Sequence, residues 1–213
     1  MLSIALPTGR VLSEAQDLLA SLGLPTAKLR KAGRSLVVHD GNCHYLLAKP
    51  MDVPLYAHYG IADLALVGSD VLAESASSLI ELADTGRGRC RLVVAGPQAL
   101  DSRFWGHESA IMGLRVATKY PRIADSHFAS RGAQVRIISL NGSIELAPLL
   151  DLSDCILDIV QTGTTLEANG LVVLDEVAPV SLRLVASRRS AQLRWQEIAP
   201  LLEKLDAIRE ETL

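Results

Sequence analysis

Aromatic side chains are scarce in this chain, at 4% of its 213 residues. That is too few for the stacked platforms that hold single-stranded nucleic acid. No excess of positive charge takes their place. The formal net charge is −3 and the isoelectric point lies near 6.0, so there is no electrostatic footprint for DNA or RNA. No apolar run approaches the ~18–20 residues needed to cross a bilayer. The opening segment, Met1 to Arg10, lacks a basic n-region and soon turns polar, so it does not read as a secretory signal. Cysteine is limited to Cys43, Cys90 and Cys155. Their odd number and wide spacing exclude a disulfide framework and a C-x-x-C metal pair. Free thiols without an export signal indicate a cytoplasmic protein. None of His39, His44, His58, His107 and His127 stands four residues from another His or Cys on a helical stretch, so no zinc site is expected. Internal repeats and low-complexity linkers are also missing.

What is present is apolar. Hydrophobic residues make up 49% and charged residues 21%, the composition of a globular chain long enough for one domain or two small lobes. Strands are predicted over 2–6, 35–39, 43–48, 62–67, 91–95, 114–118, 134–140, 155–160, 171–177 and 182–186. Helical spacing follows Arg10 and ends at Gly23, placed as a C′ stop. Further helices are expected over 52–59, from Gly68-Ser69-Asp70, over 123–130 and 143–150, and from near Leu166. A closing helix would carry Ala191, Trp195, Ile198, Leu202, Leu205 and Ile208 on one face. This alternation predicts an α/β architecture with largely parallel sheets. The polar Gly86-Arg-Gly-Arg89 stretch and the turn at Ala178-Pro179 are the two plausible crossings between lobes. One lobe would then hold residues 1–89 and 179–213, the other 90–178, with ligands in the cleft between them.

The most informative stretch is Cys155-Ile-Leu-Asp-Ile-Val-Gln-Thr-Gly-Thr-Thr-Leu166. A buried-strand pattern carries one carboxylate, Asp158, then breaks into Thr162-Gly163-Thr164-Thr165 before a helix. Hydroxyls and a glycine at a strand-to-helix turn suit a phosphate, because the helix-start N–H groups point at the anion and the glycine admits close approach. An upstream carboxylate can accept hydrogen bonds from sugar hydroxyls. Together they describe a site for ribose 5-phosphate, although an ordinary capped helix has the same local pattern. Asp158 itself needs partners inside an apolar strand.

Six ordered segments extend this reading: Leu6-Pro-Thr-Gly-Arg10, Lys49-Pro-Met-Asp-Val-Pro54, Gly60 to Asp70, Ala117-Thr-Lys-Tyr-Pro121, Leu140 to Pro148, and Asp158 to Gly170. With them the chain resembles the ATP phosphoribosyltransferase family over nearly its whole length. The resemblance implies a two-lobed, type II periplasmic-binding-protein-like fold with a central cleft. It implies transfer of the phosphoribosyl group of phosphoribosyl pyrophosphate to N1 of ATP, with release of pyrophosphate, as the first step of histidine biosynthesis. Mg²⁺ would travel on the substrate phosphates, with no metal held by protein ligands alone. The chain ends after the helix containing Trp195 and Ile208, which resembles the short form of the family. That form works as a hetero-oligomer, homodimeric catalytic units being joined by a regulatory subunit related to histidyl-tRNA synthetase.

Carried over residue by residue, Thr162, Gly163, Thr164 and Thr165 match the family's 5-phosphate loop and Asp158 its ribose carboxylate. Glu145 is a second acid near ribose or adenine. Arg34 matches a basic residue that serves the pyrophosphate. Lys49 stands where the family has arginine, which keeps the charge but loses the bidentate fork. Thr8 replaces a lysine of the first loop, with Arg10 or Lys119 left to compensate. Arg10, Asp70, Lys119 and Tyr120 are expected near ATP. Two other readings compete. A non-catalytic solute-binding module of the same fold would need an export signal. A salvage phosphoribosyltransferase would place two adjacent acids before the Thr-rich loop, whereas here Asp158 stands alone with Asp154 four residues earlier. The basic run Arg183, Arg188, Arg189 and Arg194 suits a solvated face, an assembly surface or a nucleotide contact.

Overall fold

A computed structural model describes residues 1–101, 104 and 111–210. The chain forms two compact units, Met1–Arg89 with Ser181–Leu213, and Cys90–Val180. In the first unit the strands are β1 (Leu2–Pro7), β2 (Val37–Asp40), β3 (Cys43–Ala48), β4 (Leu64–Gly68), β5 (Ile80–Asp84) and β11 (Leu182–Ala186), in the sheet order β2-β3-β1-β4-β11-β5. Alternation along the central strands feeds two separate cores. Ile4, Leu6, Leu64 and Leu66 pack on one face with Leu18 and Leu19 of α1 (Leu12–Ser21) and Ile198, Leu201 and Leu205 of the long C-terminal helix. Ala5, Ala65 and Val67 pack on the other with Val53 and Ala57 of α2 (Val53–His58) and Val71 of α3 (Ser69–Ser75). A strand covered on both faces must be apolar throughout, which is why β1 reads as a continuous hydrophobic run. Gly23 ends α1 as expected, at φ 82°, with its N–H on Ala20 O and that of Leu24 on Leu19 O.

The second unit holds β6 (Cys90–Pro97), β7 (Arg115–Thr118), β8 (Arg136–Ser139), β9 (Cys155–Val160) and β10 (Leu171–Val180), in the order β10-β6-β9-β7-β8. Its helices are α4 (Gln98–Asp101), α5 (Pro121–Ala129), α6 (Leu146–Leu149) and α7 (Thr164–Ala168). Val93, Ala95, Ala117, Ile144, Ile156, Val160, Leu166 and Leu171 form one of its cores. Arg115 fastens the starts of β7 and β9 together. Its N–H and Nε donate to Asp154 Oδ2 at 2.7 and 3.2 Å, and its Nη2 to Oδ1 at 2.8 Å. That bonding outweighs partial burial and holds the Asp154 carboxyl below its ordinary value. On the far side of this unit, buried His127 contacts Asp175 Oδ2 at 2.9 Å. Burial, then the Arg131 guanidinium, pushes the imidazole below its usual range.

Several sequence expectations are corrected. The sheets are mixed: β1 pairs in parallel with β3 and β4, and β7 with β8 and β9, while β2, β5, β6, β10 and β11 enter antiparallel. β5 escapes a hydrophobicity reading because it is a half-buried edge strand whose acids meet β11, Arg183 Nη1 lying 2.8 Å from Glu81 and 3.1 Å from Asp84. β10 continues through Pro179, tolerated because this is an edge strand that needs no N–H on its outer side. The helix expected over 143–150 is only Leu146–Leu149, since Ser143 takes φ 48°. The closing helix is broken at Arg194 (φ −112°) into α8 (Arg188–Leu193) and α9 (Trp195–Glu210). Ala191 still packs on the same core as Ile198, Leu202, Leu205 and Ile208, Leu201 joins that core, and Trp195 is left 51% exposed.

Among the described residues no helix is long and apolar enough to cross a membrane. The three cysteines are free and buried, and burial pushes the Cys155 thiol up to about 12.

Asp154→Asn should cost about 1–2 kcal/mol, the usual worth of a charge-assisted bond that is partly solvated. The contribution lost is present above the ordinary carboxylate range and disappears as pH falls through the lowered folded value. Denaturant unfolding near neutral and at acid pH measures both, with the variant closing on the parent at low pH.

Candidate active site

In the second unit the parallel strands β7, β8 and β9 all present their carboxyl ends at one edge of the sheet. Val160 closes β9 as a buried residue, and the chain turns out at Gln161 into exposed Thr162. Gly163 takes φ 85°, the left-handed region a glycine enters without penalty, and it is the residue before α7. A Cβ there would meet nothing within 4 Å, so the backbone angle and not space demands glycine. Thr162 Oγ1 and Thr164 Oγ1 stand 2.9 Å apart. The first bond into the helix is Glu167 N–H to Gly163 O, which leaves the N–H groups of Thr164, Thr165 and Leu166 facing outward from the turn. Asn169 Nδ2 holds Thr165 O at 2.8 Å and closes the helix. Upstream, half-buried Asp158 accepts from the Ile159 N–H through Oδ1 at 2.8 Å.

Lys119 and Glu145 reach the same edge. Thr118 is fully buried; its hydroxyl donates to Leu157 O at 2.7 Å and accepts the Tyr120 N–H at 2.9 Å, which fixes the exit from β7. The Leu140 N–H on Thr118 O at 3.0 Å then ties the exit of β8 to it. Glu145 lies half-buried at the head of α6 and, unlike the earlier expectation, is the residue before that helix and not within its first turn. Tyr120 is 1% exposed, so its ring belongs to the core, with Lys119 Nζ 5.6 Å from its centre. Lys119 is the half-exposed member of the pair.

The first unit repeats the design. Arg10 follows β1, Lys49 follows β3 and Asp70 follows β4, three parallel strands, while Arg34 precedes the antiparallel β2. All four therefore sit at the same edge of their sheet. Arg10, Arg34 and Lys49 are exposed. Thr8, which stands in place of a lysine, uses its hydroxyl structurally: Oγ1 donates to Ala48 O at 3.1 Å, next to the N–H of the same residue at 2.8 Å. Asp70 lies in the first turn of α3. It is a buried carboxylate, 6% exposed, whose Oδ1 lies 2.2 Å from where a Cβ on Gly68 would be. Gly68 is needed because the acid folds back over it.

Sequence reasoning missed the residues that anchor the ends of this unit. Asp84 Oδ1 accepts from the Gly86 N–H and the Ser181 hydroxyl, both at 2.9 Å, and so joins the outgoing and returning chain. Burial pushes its carboxyl up, but these bonds and Arg183 outweigh it and the net shift is down. Glu14 Oε2 accepts the Gly88 N–H at 2.7 Å. The glycine-rich stretch itself was the available signal.

Among the described residues no three His, Cys, Asp or Glu side chains gather as a metal site. His39 and His44 stack at 4.4 Å and His58 lies edge-on to Tyr59, while His107 lies outside the described residues.

A left-handed glycine between threonines and a carboxylate on the strand before it are set on a two-unit mixed α/β frame. Likeness to a Bordetella pertussis BvgS VFT2 domain shows the fold alone, at TM-score 0.63 and 14% identity over 97% of this chain and 87% of that one. A chain of the ATP phosphoribosyl transferase (HisG:HisZ) complex from Thermotoga maritima superposes at TM-score 0.81 with 33% identity, covering 99% of this chain and 100% of that one. Residues 49–207 match the family model for ATP phosphoribosyltransferase. The Sorangium cellulosum ATP phosphoribosyltransferase is 47% identical over 209 residues, 97% of this chain and 95% of that protein. The Rubrobacter xylanophilus enzyme is 43% identical over 201 residues, 94% and 93% respectively. The chain belongs to the ATP phosphoribosyltransferase family.

Gly68→Ala should destabilise the first unit by about 1–3 kcal/mol through the clash with Asp70. In a double-mutant cycle with Asp70→Ala the two costs should fall short of additive, because Asp70→Ala removes the oxygen that the new Cβ would strike. Additive losses in denaturant melts would show that the close approach carries no energy.

Proposed function

We propose that this chain transfers the 5-phosphoribosyl group of phosphoribosyl pyrophosphate to N1 of ATP and releases pyrophosphate, opening histidine biosynthesis. The observation that carries the assignment of residues is the Gly163 turn, with outward N–H groups and paired threonine hydroxyls at the end of a strand bearing Asp158. Within the second unit, Thr162 and the N–H groups of Thr164 and Thr165 take the 5-phosphate. Asp158 accepts hydrogen bonds from the ribose hydroxyls, and Glu145 serves the ribose or the adenine. The Asp154 carboxylate is committed to Arg115, so Asp158 acts without an adjacent acid, which favours this reading over a salvage phosphoribosyltransferase.

The reaction is a displacement at the anomeric carbon. The N1 lone pair forms the new C–N bond as the bond from carbon to the pyrophosphate oxygen breaks, with inversion. Positive charge gathers on the sugar and negative charge on the leaving group. Catalysis is then a matter of holding the two reactants in line and neutralising pyrophosphate, with no covalent nucleophile. Exposed Arg34 and Lys49 of the first unit are assigned to the pyrophosphate, and Arg10 and Lys119 to the ATP phosphates. Asp70 and Tyr120 position the loops that carry these cations. The family uses a divalent metal ion. We assign Mg²⁺ carried on the substrate phosphates, the usual manner in which this ion reaches phosphate-transfer sites. Its chemistry is to neutralise the departing pyrophosphate. The cytoplasm and a regulatory partner of the HisZ kind named in the Thermotoga maritima complex complete the proposal.

With ATP, Mg²⁺ and phosphoribosyl pyrophosphate, the chain should produce the chromophore of N1-ribosylated adenine; release of pyrophosphate with a free base but not with ATP would refute the reading. Asp158→Asn and Thr162→Val should each weaken phosphoribosyl pyrophosphate by about 1–3 kcal/mol in calorimetry, the cost of one lost charge-assisted or buried hydrogen bond. Lys49→Ala should slow single-turnover chemistry by about 10²–10³-fold with saturating substrates. An unchanged rate removes Lys49 from the leaving-group role.

A further inference from the structure

The first unit has a second concave surface at the opposite edge of its sheet from Arg10, Lys49 and Asp70. A cavity of about 790 Å³ is lined by His58, Tyr59, Arg188, Arg189, Leu193 and Arg194, among others. These residues come from the segment entering β4 and from α8, which follows β11; Ser78 and Leu79, just before β5, complete the wall. Since β11 runs antiparallel to β4 and β5, all three segments meet where β4 and β5 begin. Parallel α/β sheets bind substrates at the other end.

The charge here is unbalanced. Asp63 is the acid in the lining, and it is already used: Oδ2 accepts from the N–H and hydroxyl of Ser3 at 2.9 and 2.8 Å, and Oδ1 lies 3.4 Å from Arg194 Nε. Arg194 is further occupied by Glu197 at 2.8 Å, which locks the break between α8 and α9. Among the described residues Arg188 and Arg189 make no ion pair, and both are exposed. Between these cations stand apolar side chains left open: Tyr59 is 73% and Leu193 71% exposed, and their chain neighbours Ile61 and Trp195 are 57% and 51% exposed. Exposed aromatic and arginine side chains around a cavity are the composition of an interface centre. A small-molecule site would instead enclose its apolar walls. Self-pairing across a two-fold axis would bring two copies of this basic patch together, with Asp63 of each lining already engaged.

We propose that this surface docks an acidic segment of the regulatory subunit, with an apolar side chain seated against Tyr59 and Leu193 and carboxylates on Arg188 and Arg189. The proposal rests on the partnership put forward above and names its surface.

The test uses the full chain and its regulatory subunit in calorimetry and sedimentation at low and high salt. Arg188→Glu with Arg189→Glu should weaken association by at least about tenfold, as should Tyr59→Ala with Leu193→Ala, and high salt should weaken the parent pair. Arg188→Lys with Arg189→Lys should retain most of the affinity. Turnover by each isolated, folded variant should stay unchanged. Parent-like affinity in both the charge-reversed and truncated variants overturns the proposal. So does an effect confined to self-association of the chain or to binding of inorganic pyrophosphate. If the parent chain itself fails to bind the regulatory subunit, the partnership falls first and this surface with it.

Discussion

Parallel strands run the same way, so their carboxyl ends must finish on the same side. In the first unit this brings the loops after β1, β3 and β4 together, and with them Arg10, Lys49 and Asp70. In the second it collects the loops after β7, β8 and β9, and with them Lys119, Glu145 and the Thr162–Thr165 turn. Every functional assignment depends on that pairing. The antiparallel strands β6 and β11 serve a different purpose: each flanks the parallel strands of its sheet and takes the chain across from the other unit.

Carboxylates divide by what they touch. Asp63, Asp84 and Asp154 accept backbone N–H groups and arginines, and each joins two segments remote in sequence. Each is engaged through both oxygens by such structural partners. Asp158 differs in position: it accepts the next residue's N–H through Oδ1 and lies at the strand end that opens into the glycine turn. The distinction is made by place in the fold, because all four are half-buried.

The departures from the family pattern also acquire a physical meaning. Thr8 does not replace a lysine's charge; its hydroxyl binds Ala48 O and so braces the residue before Lys49. The segment bearing Lys49 is thereby stiffened. Lys49 itself remains an exposed point charge at the end of β3, free to meet an oxyanion but unable to grip two oxygens as arginine does.

Periodicity and turn chemistry were enough to read most elements from the amino-acid order. The Schellman end at Gly23, the apolar β1 and β9, and the Thr162–Thr165 turn were all legible, because each is governed by residues close in sequence. Ordered motifs also revealed the family. What stayed hidden was set by contacts between distant segments. β5 is a strand because Arg183 lies beside its acids, Trp195 is exposed because Arg194 breaks the helix before it, and Asp70 is buried because Gly68 leaves room for it. Local preferences can be summed along a chain, but burial and partnership are decided only when remote segments pack, and those terms outweigh the local ones.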